Sequence, residues 1–377
     1  MIRLQGWKLL AVALVVLAAV AFLALPGLSQ TGHATGTIKV GFVGALTGPV
    51  AKYGAFEAVR LAVDEINADG GINGTPIELI AEDGKCNAND AITSATKLIK
   101  ADGVKVILGG HCSPESIAIA PIAQENKVVM LASISTSPAF KGNDYAFRTS
   151  PSSEMQVPPL AEYLRKANVS RLAIIYEQTS YAAPIAESLK SEFEKAGGTV
   201  SSYDAFAPGT TDYHTIVARA KASNPDAVFI SPQSPDAVYG LFKQLKESGV
   251  NALLAGNDIT ANTAAFASDP SLQDGLIYSG SAYNYDAPKT KAFAQAYKKA
   301  YGTDVPYGLY TAESYDAVYI IAQAIREKGY DADAIANYLS NLQGFEGASG
   351  NINIDEQGNR VREYVVLVMR DGKPQLA

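Results

Sequence analysis

Small hydroxyl side chains gather at two places where a short apolar run stops. The run 104–108 (VKVIL) ends at Gly109-Gly110 and leads to Ser113. The run 128–132 (VVMLA) ends in Ser133, Ile134, Ser135, Thr136, Ser137 and Pro138. Ser113-Pro114-Glu115 reads as a helix start, with Ser as N-cap and Pro in the first turn, where its missing N–H is not needed. Hydroxyls and free backbone N–H groups at the carboxyl ends of two neighbouring strands, one beside a helix N-terminus, suit an anion such as a carboxylate. In open α/β sheets that edge is where ligands sit. Ordinary βα loops are also rich in Ser and Gly, so these residues alone do not decide for a site.

Catalytic patterns are missing. The chain has no GxSxG elbow, no HExxH, no GxGxxG and no Walker-type phosphate loop. Its three histidines, at 33, 111 and 214, have no metal-ligand spacing with the two cysteines. Among 38 acidic residues some must approach one another, yet no spacing supports a glycosidase-like pair. The residues therefore point to binding, with no enzyme activity, no cofactor and no metal expected.

The elements that must carry these loops alternate along the chain. Strands are predicted at 38–43, 77–81, 104–108 and 128–132, with helices at 50–68 and 91–101 and an apolar helical face at 117–122. A second series follows: strands at 172–176, 199–206, 227–230 and 252–255, with helices at 183–196, 213–222 and 236–248. Strands alternating with helices of this length mean an α/β fold with parallel sheets. Helices are then predicted at 290–301, 312–328 and 334–342. The close reads as a hairpin of 351–354 with 364–369 around Asp355-Glu356-Gln357-Gly358.

At 377 residues the chain can hold two domains with cores of their own. A formal charge of −7 argues against nucleic acid or an anionic membrane as partner. Residues 1–36 stand apart: Arg3 and Lys8 precede an uncharged apolar stretch, 9–25, ending at Pro26-Gly27. That is the plan of a secretory signal. The stretch is also nearly long enough to span a bilayer, so an uncleaved tether remains an alternative. Either way the body is expected to be exported, to the periplasm or an equivalent extracytoplasmic space.

Several segments resemble a known family. EDGKCNANDA around Cys86, HCSPES around Cys112 and the STSPAF that follows resemble the periplasmic leucine/isoleucine/valine-binding protein and its type I solute-binding relatives. IKVGFVGALTGPVAKYG, INADGGINGTPIEL, RLAIIYEQTSYA and YDAVYIIAQAI match as well, in order, from Thr37 onward. The resemblance implies two Rossmann-like lobes joined by three hinge crossings, the type I periplasmic-binding-protein fold. The crossings fall near 149–153, 279–283 and 347–351. Lobe one is then 37–149 and 280–347, and lobe two 150–279 and 348–377. Export and the family both imply a disulfide between Cys86 and Cys112, two buried free thiols being the alternative.

The resemblance also implies a ligand set. Capturing a zwitterionic amino acid needs donors for the carboxylate, acceptors for the ammonium and a wall for the side chain. Ser113 would donate hydroxyl and N–H to the carboxylate and Thr136 would contribute its hydroxyl and N–H, with the carbonyl of Ile134 accepting from the amine and Ser135 in the same ligand set. Asp258 would supply the counter-charge from lobe two, Tyr53 an aromatic wall and Tyr181 the lobe-two rim. Tyr310 and Glu313 either reach the cleft or belong to core or surface. The family's pattern breaks at SPQSP, where Gln233 puts a polar group at an expected apolar wall. The implied function is the substrate-binding component of an ABC importer for branched-chain or other hydrophobic amino acids, a monomer docking on membrane permease subunits. The alternatives are a ligand-sensing receptor domain of the same fold, which should continue into a spanning helix, and a binder of another small solute such as an amide or carboxylic acid.

Overall fold

The computed structural model describes residues 36–261, 266 and 268–377. The leader expected in the first 36 residues lies, except for Gly36, outside them. Among the described residues no helix is long and apolar enough to cross a membrane.

The first sheet grows from β1 (Ile38–Gly44). A short 3-10 turn (Pro49–Tyr53) and α1 (Ala55–Ala68) lead to β2 (Ile77–Asp83), and α2 (Ala88–Lys97) follows. Next come β3 (Val106–Gly109), α3 (Ser113–Asn126), β4 (Val129–Ala132) and β5 (Ala146–Arg148). All five strands are parallel, in the order β2-β1-β3-β4-β5. Successive residues of a strand point to opposite faces, and the strands are apolar on both. Val40, Phe42, Val106, Leu108, Val129 and Leu131 share one core cluster, whereas Val43, Ile107, Met130 and Ala132 share another with residues of α2 and α3. Two-sided burial is why these strands read as continuous apolar runs.

The second sheet begins after α4 (Val157–Lys166), with β6 (Arg171–Glu177), α5 (Ala182–Lys195), β7 (Thr199–Phe206), α6 (His214–Ala222) and β8 (Ala227–Ser231). α7 (Pro235–Glu247), β9 (Leu253–Gly256) and β10 (Ile277–Ser281) continue it. The chain then forms α8 (Pro288–Tyr301), α9 (Gly308–Lys328) and α10 (Ala332–Ser340). β11 (Phe345–Gly347), β12 (Gly350–Ile352), β13 (Tyr364–Arg370) and β14 (Lys373–Leu376) end it. The sheet order is β14-β13-β10-β9-β8-β6-β7. Strands β6 to β10 are parallel, and β13 and β14 add an antiparallel edge.

Two expectations change. The 50–68 helix is broken at Gly54, which adopts φ 71, and a Cβ there would sit 2.6 Å from the Tyr297 hydroxyl. The break turns Tyr53 out of the helical register. The segment 351–354 does not pair with 364–369: β12 pairs with β11, and β13 pairs with β10 and β14. The turn at 355–358 closes only a short antiparallel bridge, Ile354 with Arg360, before the chain leaves for the open edge of a distant strand. Ile352 and Ile354 pack in the first sheet's core, and Arg148 pairs with Asn359 just before β13.

A buried polar node ties the three passages. Arg360 pairs with Glu313 at 3.0 Å, both side chains fully buried. Its guanidinium also donates to the carbonyls of Ser349 and Asn351 and, at 3.4 Å, to that of Thr149. Glu313 accepts from Ser150 at 2.6 Å. Arg362 donates to the carbonyls of Ser349 and Ala282. Of the two options open for Glu313, the structure takes the core one.

Candidate functional site

In both sheets the strand order reverses at one point, between β1 and β3 in the first and between β6 and β8 in the second. Ligands bind outside the carboxyl ends of strands at such points. The loops that leave these four strands meet in one small cavity of about 20 Å³, lined by Val50, Tyr53, His111, Cys112, Ser113, Ile134, Tyr181, Gln233 and Ile259. That volume holds about one water. An amino acid enters only if the two walls part.

Two glycines shape the first wall. A Cβ on Gly109 would lie 2.0 Å from the Val43 carbonyl oxygen, and one on Gly110 2.5 Å from Glu115 Cβ. Only glycines let the chain turn from β3 against β1 and start α3 at once. The helix begins at Ser113 itself, and Cys112 takes the cap position expected of Ser113. Cys112 is joined to Cys86 in the expected disulfide. Between them the buried Glu115 carboxylate accepts the N–H groups of Cys86 at 2.9 Å and Cys112 at 2.7 Å. Burial pushes its pKa up to about 7.

The serine run is largely spent on its own loop. Ser133 bonds Ser314 and, through its carbonyl, Ser150, and the Ser137 hydroxyl caps Ala139. Ser135 pairs with Ser116 and, at 3.5 Å, with Ser113, so its hydroxyl turns inward. Ser113 Oγ accepts the Ser137 N–H at 3.2 Å. Thr136 is fully buried, and its hydroxyl has no hydrogen-bond partner among the described residues.

The second wall carries the acid. Asp258 opens a 3-10 turn after β9. One carboxylate oxygen accepts the Tyr181 hydroxyl at 2.5 Å and the Gln156 amide at 3.4 Å; the other accepts the Tyr310 hydroxyl. Tyr307 donates to its carbonyl. Burial raises the Asp258 pKa, against the lowering effect of these donors. Asp258 also lines a second cavity of about 300 Å³, walled by Tyr278, Tyr283, Tyr285, Tyr307 and Tyr310 among others. Tyr53 bridges the walls by donating to the Gln233 carbonyl at 2.7 Å, and it meets Tyr307 edge-on at 5.5 Å. Gln233 is held by its N–H on the buried Glu177 carboxylate, 2.6 Å away.

Of the eight residues singled out from sequence, Tyr53, Ser113, Ile134, Tyr181 and Gln233 line the small cavity. Asp258 adjoins it through Tyr181, and Ser135 and Thr136 stand behind Ser113 and Ile134. Missed were Gln156, Tyr307 and above all His111, which lines the cavity with neither ring nitrogen bonded to any described residue. Its sequence signal was there, a lone histidine immediately after a strand-ending Gly-Gly, but it carried no metal spacing and so suggested nothing. No group of His, Cys, Asp and Glu among the described residues could hold a metal.

The family model described as "Periplasmic binding protein" matches residues 37–373. Among curated sequences, a leucine-, isoleucine-, valine-, threonine- and alanine-binding protein of Pseudomonas aeruginosa is 29% identical over 90% of this chain and 91% of its own length. Among solved structures, a branched-chain amino acid transporter substrate binding protein of Streptococcus pneumoniae, in complex with isoleucine, superposes with a TM-score of 0.81. It is 26% identical, covering 90% of this chain and 98% of that one. A solute binding protein of R. palustris in complex with benzoate also gives 0.81, over 90% of this chain and 95% of that one, at 18% identity, a likeness of fold alone. The chain therefore belongs to the periplasmic binding protein family, among the type I relatives of the leucine/isoleucine/valine-binding proteins, and is a solute-binding protein and not an enzyme.

Proposed function

We propose that this chain is the extracytoplasmic substrate-binding component of an ABC importer and captures a free amino acid between two lobes. The observation that carries the reading is the pairing of opposite chemistries across one cleft. Ser113 at the start of α3 lines one wall with the buried, unpartnered Thr136 hydroxyl in the same serine-rich wall, and the Asp258 carboxylate adjoins the cavity from the other through Tyr181. The hydroxyls and the helix N-terminus suit the α-carboxylate. Asp258, with the Ile134 carbonyl opposite, suits the ammonium. Disfavouring an amine-free acid, Asp258 would meet a second carboxylate at close range.

Lobe one comprises 37–149 and 280 to about 360, and lobe two 150–279 with the remainder, the hinge lying at the Glu313–Arg360 node. Opening breaks the Tyr53–Gln233 bond and the exposed Lys52–Asp236 pair, which at 59% exposure on both sides contributes little. Closing desolvates the head-group contacts and strengthens them. The closed form is what the membrane permease would read. Export follows from the leader and from the relatives, with residues 1–36 as signal.

The test is calorimetry on protein stripped of bound solute by unfolding and refolding, against a panel of amino acids. Ser113→Ala and Thr136→Ala should each weaken binding by about 1.5–3 kcal/mol, roughly tenfold to a hundredfold; Thr136→Ala, whose hydroxyl has no partner among the described residues, should leave unfolding unchanged, whereas Ser113→Ala also strands the Ser137 N–H. Unchanged affinity in both variants moves the site elsewhere.

A further inference from the structure

His111 is 2% exposed and points its ring into the small cavity, 6.5 Å from the Tyr53 ring and near-perpendicular to it. Neither nitrogen has a hydrogen-bond partner among the described residues. Burial holds its pKa down to about 4, so at ordinary pH the ring is neutral, with one N–H donor and one acceptor. Buried polar groups are nearly always paired, and one left unpaired is costly. On the facing wall Gln233 offers a carboxamide whose one side-chain contact is a weak one, Nε2 to Cys86 Sγ at 3.2 Å. Its carboxamide oxygen accepts no hydrogen bond from the described residues.

We propose that His111, with Gln233 opposite, reads the ligand's side chain, and that this chain prefers amino acids with an uncharged hydrogen-bonding side chain, a hydroxyl or a carboxamide, over aliphatic ones. The inference rests on the amino-acid reading above and narrows it. An aliphatic side chain seated here leaves the imidazole's donor and acceptor without partners. A hydroxyl or amide supplies both kinds. The neutral ring and the uncharged Gln233 provide no counter-charge for a carboxylate or ammonium side chain. A pocket built to hydrogen-bond a group rejects the isostere lacking it far more strongly than an apolar pocket rejects an added hydroxyl.

The experiment uses size-matched pairs, threonine with valine and glutamine with methionine, titrated calorimetrically into stripped wild-type protein and into His111→Leu. In wild type, the polar member of at least one pair should bind tenfold or more tighter than its partner. His111→Leu should bring that ratio within about threefold or reverse it. A wild-type ratio below tenfold in both pairs overturns the proposal without help from the variant. A polar preference that persists in a folded His111→Leu removes the role from His111. Wild-type protein that binds none of the four overturns this inference, and protein that also binds nothing in the wider amino-acid panel refutes the amino-acid reading itself.

Discussion

Asp258→Asn separates an amino-acid site from a site for any other solute of this fold. Asparagine keeps the size and shape of the side chain and removes the charge. A carboxylate and an ammonium about 3.5 Å apart attract by about 5 kcal/mol at an effective dielectric of about 20, before desolvation is subtracted. Losing one partner of such a pair costs about 2–5 kcal/mol of binding, and 1.4 kcal/mol is a factor of about ten, so affinity should fall by roughly 30-fold to a few thousandfold. The ligand-free protein should change little. The substituted amide gives up one acceptor, stranding the hydroxyl of Tyr181 or Tyr310 at a cost of about 1–2 kcal/mol. It also relieves the burial that raises the pKa of Asp258, which offsets part of that loss. The assay is calorimetry with the tightest-binding amino acid and with its analogue lacking the amine. Wild type should bind the analogue poorly, and the variant should lose little more. Intact affinity for the amino acid, or an equal loss for both ligands, would refute the pairing of Asp258 with an ammonium.

Three further outcomes are expected. Reducing the Cys86–Cys112 bond, with a sequence separation of 26, should lower stability by about 3.5 kcal/mol in the chain-entropy picture; a denaturant midpoint unmoved by reductant contradicts this. Arg360→Met leaves Glu313 buried without its partner and should cost about 3–5 kcal/mol, most of it recovered in Glu313→Leu/Arg360→Met; additive losses in urea unfolding would rule out a coupled pair. Glu115 has a folded pKa raised to about 7, so its contribution to stability is full below about 4.5 and is lost as pH rises through about 7, on the order of 3 kcal/mol. Urea midpoints should therefore fall between pH 5 and 8, and less so in Glu115→Gln. A midpoint that is flat or rises in wild type counts against the burial argument.

The alternation of apolar runs and amphipathic stretches was enough to read an α/β chain, because strands buried on both faces and helices buried on one leave different periods in the sequence. Two cysteines in an exported chain were enough to read the disulfide. The seams were harder. β10 and β13 were not legible as neighbours, since antiparallel pairing across some eighty residues leaves no local mark, and the Asp355–Gly358 turn instead suggested a hairpin. α4 was missed because Pro158 and Pro159 sit in its first turn, where proline costs nothing yet reads as a breaker. For the proposed site, residue types with an evident charge or hydroxyl, Ser113, Thr136 and Asp258, could be nominated from sequence and resemblance. Which of them faces the cavity could not. Ser133, Ser135 and Ser137 look equal to Ser113 in the sequence, but neighbours brought in from α3, α9 and their own loop absorb their hydroxyls. His111 shows the converse. Its residue type says nothing by itself, and it becomes informative only because the fold buries its ring where no other described element supplies a partner. Composition and period are properties of a segment and survive without context; the state of a polar group depends on what long-range packing places within about 3 Å of it, and that is settled only when the sheets are assembled.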